Sequence, residues 1–297
     1  MKNEKLRMMR RSDILAFILG AVCCLSSCSE DFPYDVAGLF SPNGETVATR
    51  FQQSQAYNDS VGVQHLDMGS DDYIAYVCSD SHITRTTHAN LDTFVAVYNA
   101  ETHPKIAFHL GDLIDAQNNL ACADSVLGLA NGPMMVTLGN HDIYFKQWTI
   151  FRSYFHTSAY WFDTYNGPKK LDLFICLDSA EGTLGTEQTQ WLKKLLAAKS
   201  QEGYRHIIVY THTHFWKLDN SQEYTSNFAL EETYDLATLF AQYGVEAVWS
   251  GHQHARQAVL FKGVQYMVTD ATKDQEKGQS YMTAQIGDEV HYQYISF

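Results

Sequence analysis

Proline is scarce, at five in 297 residues, and there is no low-complexity tract, which excludes collagen-like and disordered chains. Basic residues are also short: 21 Lys and Arg face 34 Asp and Glu, for a net charge of −13. That balance argues against a nucleic-acid grip built on basic patches. It also means that an anionic substrate would have to be met through bound cations. Cysteine occurs six times with no Cys-x-x-Cys spacing, so neither a disulfide framework nor a thiolate metal site is indicated. Gly-x-x-x-x-Gly-Lys, His-Glu-x-x-His and Gly-x-Ser-x-Gly are absent, and the corresponding chemistries have no sequence support. No apolar run reaches the ~20 residues that span a bilayer. What remains is a globular composition, 45% hydrophobic and 19% charged, long enough for a large core.

The longest apolar run, Ile14–Leu25, follows a basic start of Lys2, Lys5, Arg7, Arg10 and Arg11, the pattern of a secretory signal. Its end, Leu25-Ser26-Ser27-Cys28, resembles a bacterial lipoprotein box, in which the Cys is lipidated and becomes the new N-terminus. The resemblance implies a leader over residues 1–27 and a lipid on Cys28. It also implies an exported protein held on the periplasmic or cell-surface side of a bacterial envelope membrane. Loss of the leader, with five positive and two negative residues, makes the mature chain still more acidic. The lipid, not a basic patch, would then be the only attachment to the membrane. Residues 28–44 read as a polar tether and 45–297 as one domain. Cys78 and Cys176 sit in apolar runs as small buried hydrophobes.

From Glu45 to Asn58 a helical period places Val47, Phe51 and Tyr57 roughly on one side, and 59–72 is loop-like. Apolar runs then alternate with amphipathic stretches. Strands are expected at Tyr73–Cys78, Lys105–Leu110, Pro133–Leu138, Leu171–Leu177, His206–Tyr210 and Glu246–Trp249, and helices at Ala89–Glu101, Asp124–Ala130, Ile143–Tyr154, Glu187–Lys199 and Glu231–Tyr243. This alternation predicts an α/β sheet covered by helices. Four further strands are expected at Gln257–Phe261, Val264–Thr269, Tyr281–Ile286 and Glu289–Phe297. They predict a second sheet packed on the first.

Five of these strands run into the same kind of residue. The sequences that follow them are Asp80-Ser81-His82, Gly111-Asp112-Leu113-Ile114-Asp115, Gly139-Asn140-His141-Asp142, His212-Thr213-His214 and Gly251-His252-Gln253-His254. Carboxyl ends of strands in open α/β sheets share one edge, where ligands bind. That many carboxylates and imidazoles in one crevice would repel one another and resist desolvation. Metal dications resolve the conflict, and an all-nitrogen-and-oxygen donor set suits zinc, manganese or iron.

In this order the blocks resemble the calcineurin-like metallophosphoesterase family, over Asp80 to His254. Leu177-Asp178-Ser179, Gln188 and Trp191-Leu192 resemble its phosphodiesterase and purple acid phosphatase branch. The resemblance implies a four-layer α/β/β/α sandwich of two mixed sheets flanked by helices, with two metal ions as cofactors. It places Asp80, His82 and His254 on the first metal, Asn140, His212 and His252 on the second, and Asp112 between them. His141 would protonate the leaving group and be oriented by Asp115, while a hydroxide shared by the metals attacks phosphorus in line. The fourth block departs from the family's frequent His-x-Pro or His-His-Pro, so a register shift of two would put His214 in place of His212. Otherwise His214 would face substrate. Arg85, three residues past His82, is either a phosphate contact or an exposed helix-start residue.

Residues 144–165 hold ten aromatics, including Tyr144, Trp148, Phe155, Tyr160 and Trp161, read chiefly as core and secondarily as a stacking wall. Asp142 reads as a helix cap, His109 as packing, and Asp178 as a residue behind the metal ligands. The expected function is a metal-dependent phosphoesterase acting on a small phosphodiester or phosphomonoester, with specificity set by loops near 83–90, 117–131, 144–168 and 214–230. The alternative from another class is a lipid-anchored protein that binds metal and a phosphate ligand without turnover.

Overall fold

The computed structural model describes residues 44–115, 119–217 and 223–297. The leader, Cys28 and all of the tether except residue 44 lie outside them. Among the described residues no helix is long and apolar enough to cross a membrane.

The chain opens with α1 (Val47–Val61), capped by the Thr46 hydroxyl, which accepts from the Thr49 amide. Next come β1 (Gln64–Asp67), β2 (Tyr73–Cys78), α2 (Ala89–Ala100), β3 (Lys105–His109), α3 (Leu120–Leu127) and β4 (Met134–Val136). A short α4 (Asn140–Ile143) and a 3₁₀ turn at Tyr144–Lys146 lead to α5 (Trp148–Phe155), β5 (Tyr160–Asn166), β6 (Lys169–Leu177) and α6 (Gly185–Lys199). The chain closes with β7 (Ile207–Thr211), α7 (Leu230–Gln242), β8 (Ala247–Ser250), β9 (Gln257–Phe261), β10 (Val264–Val268), β11 (Ser280–Ile286) and β12 (Val290–Ser296).

Two sheets result. One has seven strands in the order β1-β5-β6-β7-β8-β10-β9, the other five in the order β12-β11-β2-β3-β4. In the smaller sheet β2, β3 and β4 are parallel neighbours, and in the larger so are β6, β7 and β8. Both triplets therefore end at a common edge. Side-chain alternation builds three cores. Tyr73, Ala75 and Val77 of β2 meet Phe174 and Cys176 of β6 and Ile208 and Tyr210 of β7 between the sheets. Tyr76 and Cys78 turn the other way, onto α2, α3 and α5. Leu173, Ile175 and Leu177 of β6 turn outward onto α6 and α7. The architecture is the four-layer α/β/β/α sandwich with two mixed sheets.

Three local expectations need correction. The segment 59–72 is not all loop: β1 pairs in parallel with β5, and neither strand is expected from the sequence. The helix expected over 143–154 is broken, because Phe145 and Lys146 adopt left-handed φ of 59° and 63° and separate α4 from α5. The C-terminal strands do not form a sheet of their own. The β9–β10 hairpin joins the larger sheet beside β8, and β11–β12 joins the smaller beside β2.

Candidate metal centre

The two parallel triplets deliver their loops to one place. Asp80 and His82 follow β2, Asp112 and Asp115 follow β3, Asn140 and His141 follow β4, His212 follows β7, and His252 and His254 follow β8. Close approach of these turns leaves no room for side chains at the glycines between them. A Cβ at Gly139 would lie 2.1 Å from the Asp112 amide nitrogen, and one at Gly251 would lie 2.5 Å from Asp80 Oδ2. Asp80, His82, Asp112, His252 and His254 all sit in the left-handed region, with φ between 42° and 72°. Each such residue costs of the order of 1–2 kcal/mol, so the surroundings must hold all five in place.

The hydrogen bonds that do so are local. The Asp142 carboxylate accepts from the Gly139 and Leu113 amides, each at 2.9 Å, capping α4 while tying the loop after β4 to the loop after β3. Buried, and beside the Asp112 charge, that carboxyl is pushed up to about 8. Asp112 Oδ1 accepts from the His141 amide at 2.8 Å. Asp80 Oδ2 accepts from the His252 amide at 2.9 Å and from the Ser79 hydroxyl. His109 is more than packing: its Nδ1 accepts from the Gly111 amide, and its Nε2 pairs with the Ser81 hydroxyl at 2.8 Å.

The donor atoms converge in two halves. In the first, His254 Nε2 lies 3.0 Å from His82 Nε2 and 3.4 Å from Asp80 Oδ1. In the second, His212 Nε2 lies 3.0 Å from Asn140 Oδ1 and 3.1 Å from His252 Nδ1, and those two are 2.9 Å apart. Asp112 Oδ2 stands between the halves, 3.6 Å from His82 Nε2 and 3.4 Å from His212 Nε2. Asp80, His82 and His254 could hold one metal ion, and Asp112, His212 and His252 another. The chemistry of the donors fits cations. His212 Nδ1 faces the Leu110 carbonyl at 2.8 Å, so a neutral His212 carries its proton there and turns an Nε2 lone pair toward the Asn140 oxygen. An acceptor aimed at an acceptor needs a positive charge between them.

When no cation supplies it, protons do. Burial opposes charging His212, but the Asp112 carboxylate beside it prevails and holds the ring at about 9. His254 is likewise held at about 9, against burial, by Asp80 and Glu276. Asp80 and Asp112 are lowered in return, despite their burial, by these same imidazoles. His82 and His252 are pushed down to about 4, chiefly by burial. Metal uptake must displace the protons on His212 and His254, so affinity rises with pH from the ordinary histidine range through about 9. The proton-linked stability of the metal-free fold runs the other way. It is complete below the unfolded value and lost as pH climbs through about 9.

His141 Nδ1 lies 3.9 Å from Asp115 Oδ1, and its ring meets the His82 ring edge-on at 4.5 Å. His82, Asp112 and His141 are also close enough to share an ion, but His82 and Asp112 already face other donors. His214 joins none of these groups; its buried ring stacks on His252 at 5.7 Å. Arg85 is exposed in the turn before α2. The aromatic stretch divides: Trp148 and Phe151 are core, whereas Tyr144 and Phe145 are exposed, and the Tyr144 hydroxyl accepts from Asn140 Nδ2 at 2.8 Å. That bond turns Asn140 Oδ1 toward the histidines.

Sequence reasoning missed several supporting residues. Asp178, far from being another residue behind the ligands, binds Arg50 of α1. Ser179 accepts from the Thr213 amide at 2.8 Å and steadies the loop that carries His212. Glu276 Oε1 lies 2.8 Å from His254 Nδ1, and Lys273 Nζ lies 3.8 Å from Asp115 Oδ1. Both lie in a loop with no motif to single it out.

A family model described as calcineurin-like phosphoesterase matches residues 75–256. A dimetal phosphatase from Danio rerio superposes with a TM-score of 0.57 at 13% identity, covering 75% of this chain and 95% of that one. Purple acid phosphatase PPD1 from yellow lupin superposes with a TM-score of 0.56 at 14% identity, covering 77% and 52%. In sequence, the human protein named serine/threonine-protein phosphatase CPPED1 is 29% identical over 91 residues, 30% of this chain. The match spans 29% of that relative's length.

Proposed function

This chain belongs to the calcineurin-like phosphoesterase family, whose members are dinuclear metal-dependent, and on that premise we propose that it hydrolyses a small phosphodiester or phosphomonoester at the centre around Asp112. One observation carries the reading: two groups of converging acceptors share a single buried carboxylate. Asp80, His82 and His254 would hold one cation, Asn140, His212 and His252 the other, and Asp112 would serve both. Bound there, manganese, zinc or iron ions supply a nucleophile from water at neutral pH and neutralise charge on the phosphoryl oxygens. The chain's own residues do the rest. Asp115 stands as a charged neighbour 3.9 Å from His141 Nδ1, and His141 would deliver a proton from Nε2 to the departing oxygen. Tyr144, its half-exposed ring 4.9 Å from that of His141, offers a face for the leaving group. The proposal extends to the N-terminus: residues 1–27 are removed, Cys28 is lipidated, and the domain from residue 45 works outside the cytoplasm on a short tether. Palmitate labelling that persists in Cys28→Ser would overturn the anchor.

The test strips the chain with chelator, restores manganese, zinc or iron, and compares bis-p-nitrophenyl phosphate, p-nitrophenyl phosphate and a phosphoserine peptide. The last is included because of the curated relatives' name. Metal-dependent turnover lost in Asn140→Ala is expected. His141→Ala should lose roughly 10²–10⁴-fold on alkyl esters, the usual contribution of a general acid, and much less on p-nitrophenyl esters, whose leaving group needs no proton. Bound metal without turnover on any substrate would favour the binding-protein reading.

A further inference from the structure

The loop between β10 and β11 reaches across the first half of the centre. It is fastened at several points. The Thr272 and Lys273 amides donate to the carbonyls of Ser79 and Asp80 at 2.9 and 3.0 Å, beside the first donor carboxylate. Asp274 accepts from the Ala89 and Asn90 amides at 2.9 and 2.8 Å at the start of α2. Gln279 Nε2 closes the loop onto the Lys273 carbonyl at 2.8 Å. Between these ties Gln275 takes a left-handed φ of 64°, a conformation that costs a non-glycine residue of the order of 1–2 kcal/mol. The next residue is Glu276.

We propose that Glu276 is a positioning residue for the metal centre: its carboxylate holds the Nδ1 proton of His254 and turns the Nε2 lone pair toward Asp80 and His82. The inference rests on the metal-dependent reading above. A neutral imidazole has one N–H and one lone pair, and the hydrogen bond at one nitrogen decides which is which. Glu276 Oε1 lies 2.8 Å from Nδ1, while Nε2 on the other side lies 3.4 Å from Asp80 Oδ1. His212 is fixed in the same sense by a backbone carbonyl. The outer nitrogen of His82 has Asp115 at 3.6 Å, beyond hydrogen-bond reach. Among the described residues, His254 is therefore the donor histidine whose outer nitrogen is hydrogen-bonded to a carboxylate. That carboxylate also makes the ring a better donor to a cation.

Calorimetric titration of the metal-stripped full chain with Mn²⁺, and separately with Zn²⁺, tests this in wild type, Glu276→Ala and Glu276→Gln. Two ions are expected in each. In Glu276→Ala one of the two should weaken by about 10–100-fold, the usual cost of losing such a partner, with the other unchanged. Glu276→Gln keeps an oxygen acceptor and should recover most of the loss. Unchanged affinities in Glu276→Ala would overturn the inference alone. Equal weakening of both ions in both variants would also overturn it, showing a loop that acts by general packing. A wild-type chain that takes up no cation would overturn the metal-dependent reading beneath it.

Discussion

Replacing Asp112 with Asn is expected to lower turnover by at least about a thousandfold, the upper end of what losing one preorganised transition-state contact costs, and to loosen both cations together. Among the described residues its Oδ2 is the carboxylate oxygen that approaches histidines of both halves, at 3.6 and 3.4 Å, and the side chain is buried. Asparagine has the same shape and can still accept from the His141 amide through Oδ1. It loses the negative charge, however, and presents either an amide N–H or a weak carbonyl to the ions. Asp115→Asn is the matched control. Asp115 is partly exposed and lies 3.9 Å from His141 and 3.6 Å from His82 without hydrogen-bonding either, so that variant should keep both ions and slow the chemical step alone. Kinetics with metal content measured on the same samples separate the two. Turnover of Asp112→Asn within tenfold of wild type would contradict the bridging role.

Arg50→Met is expected to destabilise the fold by about 3–5 kcal/mol, the cost of leaving one member of a buried ion pair alone. For a domain of this size that lowers Tm by roughly 6–20 °C. Arg50 is fully buried on α1. Its Nε and Nη2 donate to the two oxygens of the equally buried Asp178 at 2.9 and 3.0 Å, and Nη1 reaches the Glu45 carbonyl at 2.9 Å. Without the guanidinium, the Asp178 carboxylate keeps only the Ser158 hydroxyl and the Ala180 amide as donors. The double variant Arg50→Met/Asp178→Leu removes both charges and should regain a large part of the loss. A single-variant Tm within about 2 °C of wild type, less than 1 kcal/mol on the same scale, would mean that the pair contributes little.

What the sequence revealed, and what it hid, follows from the range of each interaction. Tyr73–Cys78 and Gln257–Phe261 match the expected strands residue for residue, the first because a nearly fully buried strand reads as an apolar run, the second because its buried and exposed positions alternate. The centre was legible because parallel neighbours in a sheet end at one edge, although three of the five strands lie in the smaller sheet and two in the larger, and no local pattern shows that the two edges meet. β1 was hidden: its side chains Gln64-His65-Leu66-Asp67 are largely exposed, and only backbone pairing with β5 makes it a strand. The break at Phe145 and Lys146 involves neither Gly nor Pro, so no punctuation marks it. Hairpin patterning cannot say which of two sheets a hairpin joins, and the C-terminal strands split between both. Arg50 reads as a surface residue until Asp178, 128 positions away, meets it. Glu276 likewise gains meaning only from a loop that folds back onto His254.

Counting the metal is the most direct check on a dinuclear centre. The stripped full chain would be loaded, dialysed and assayed for metal at about pH 6.5 and about pH 9, with His254→Ala and His252→Ala alongside. Two ions per wild-type chain are expected, bound more tightly at the higher pH because His212 and His254 must first shed protons held up to about 9. Each variant should retain a single ion. A wild-type chain that saturates at one ion or none, or binding that is tighter at the lower pH, would contradict the account.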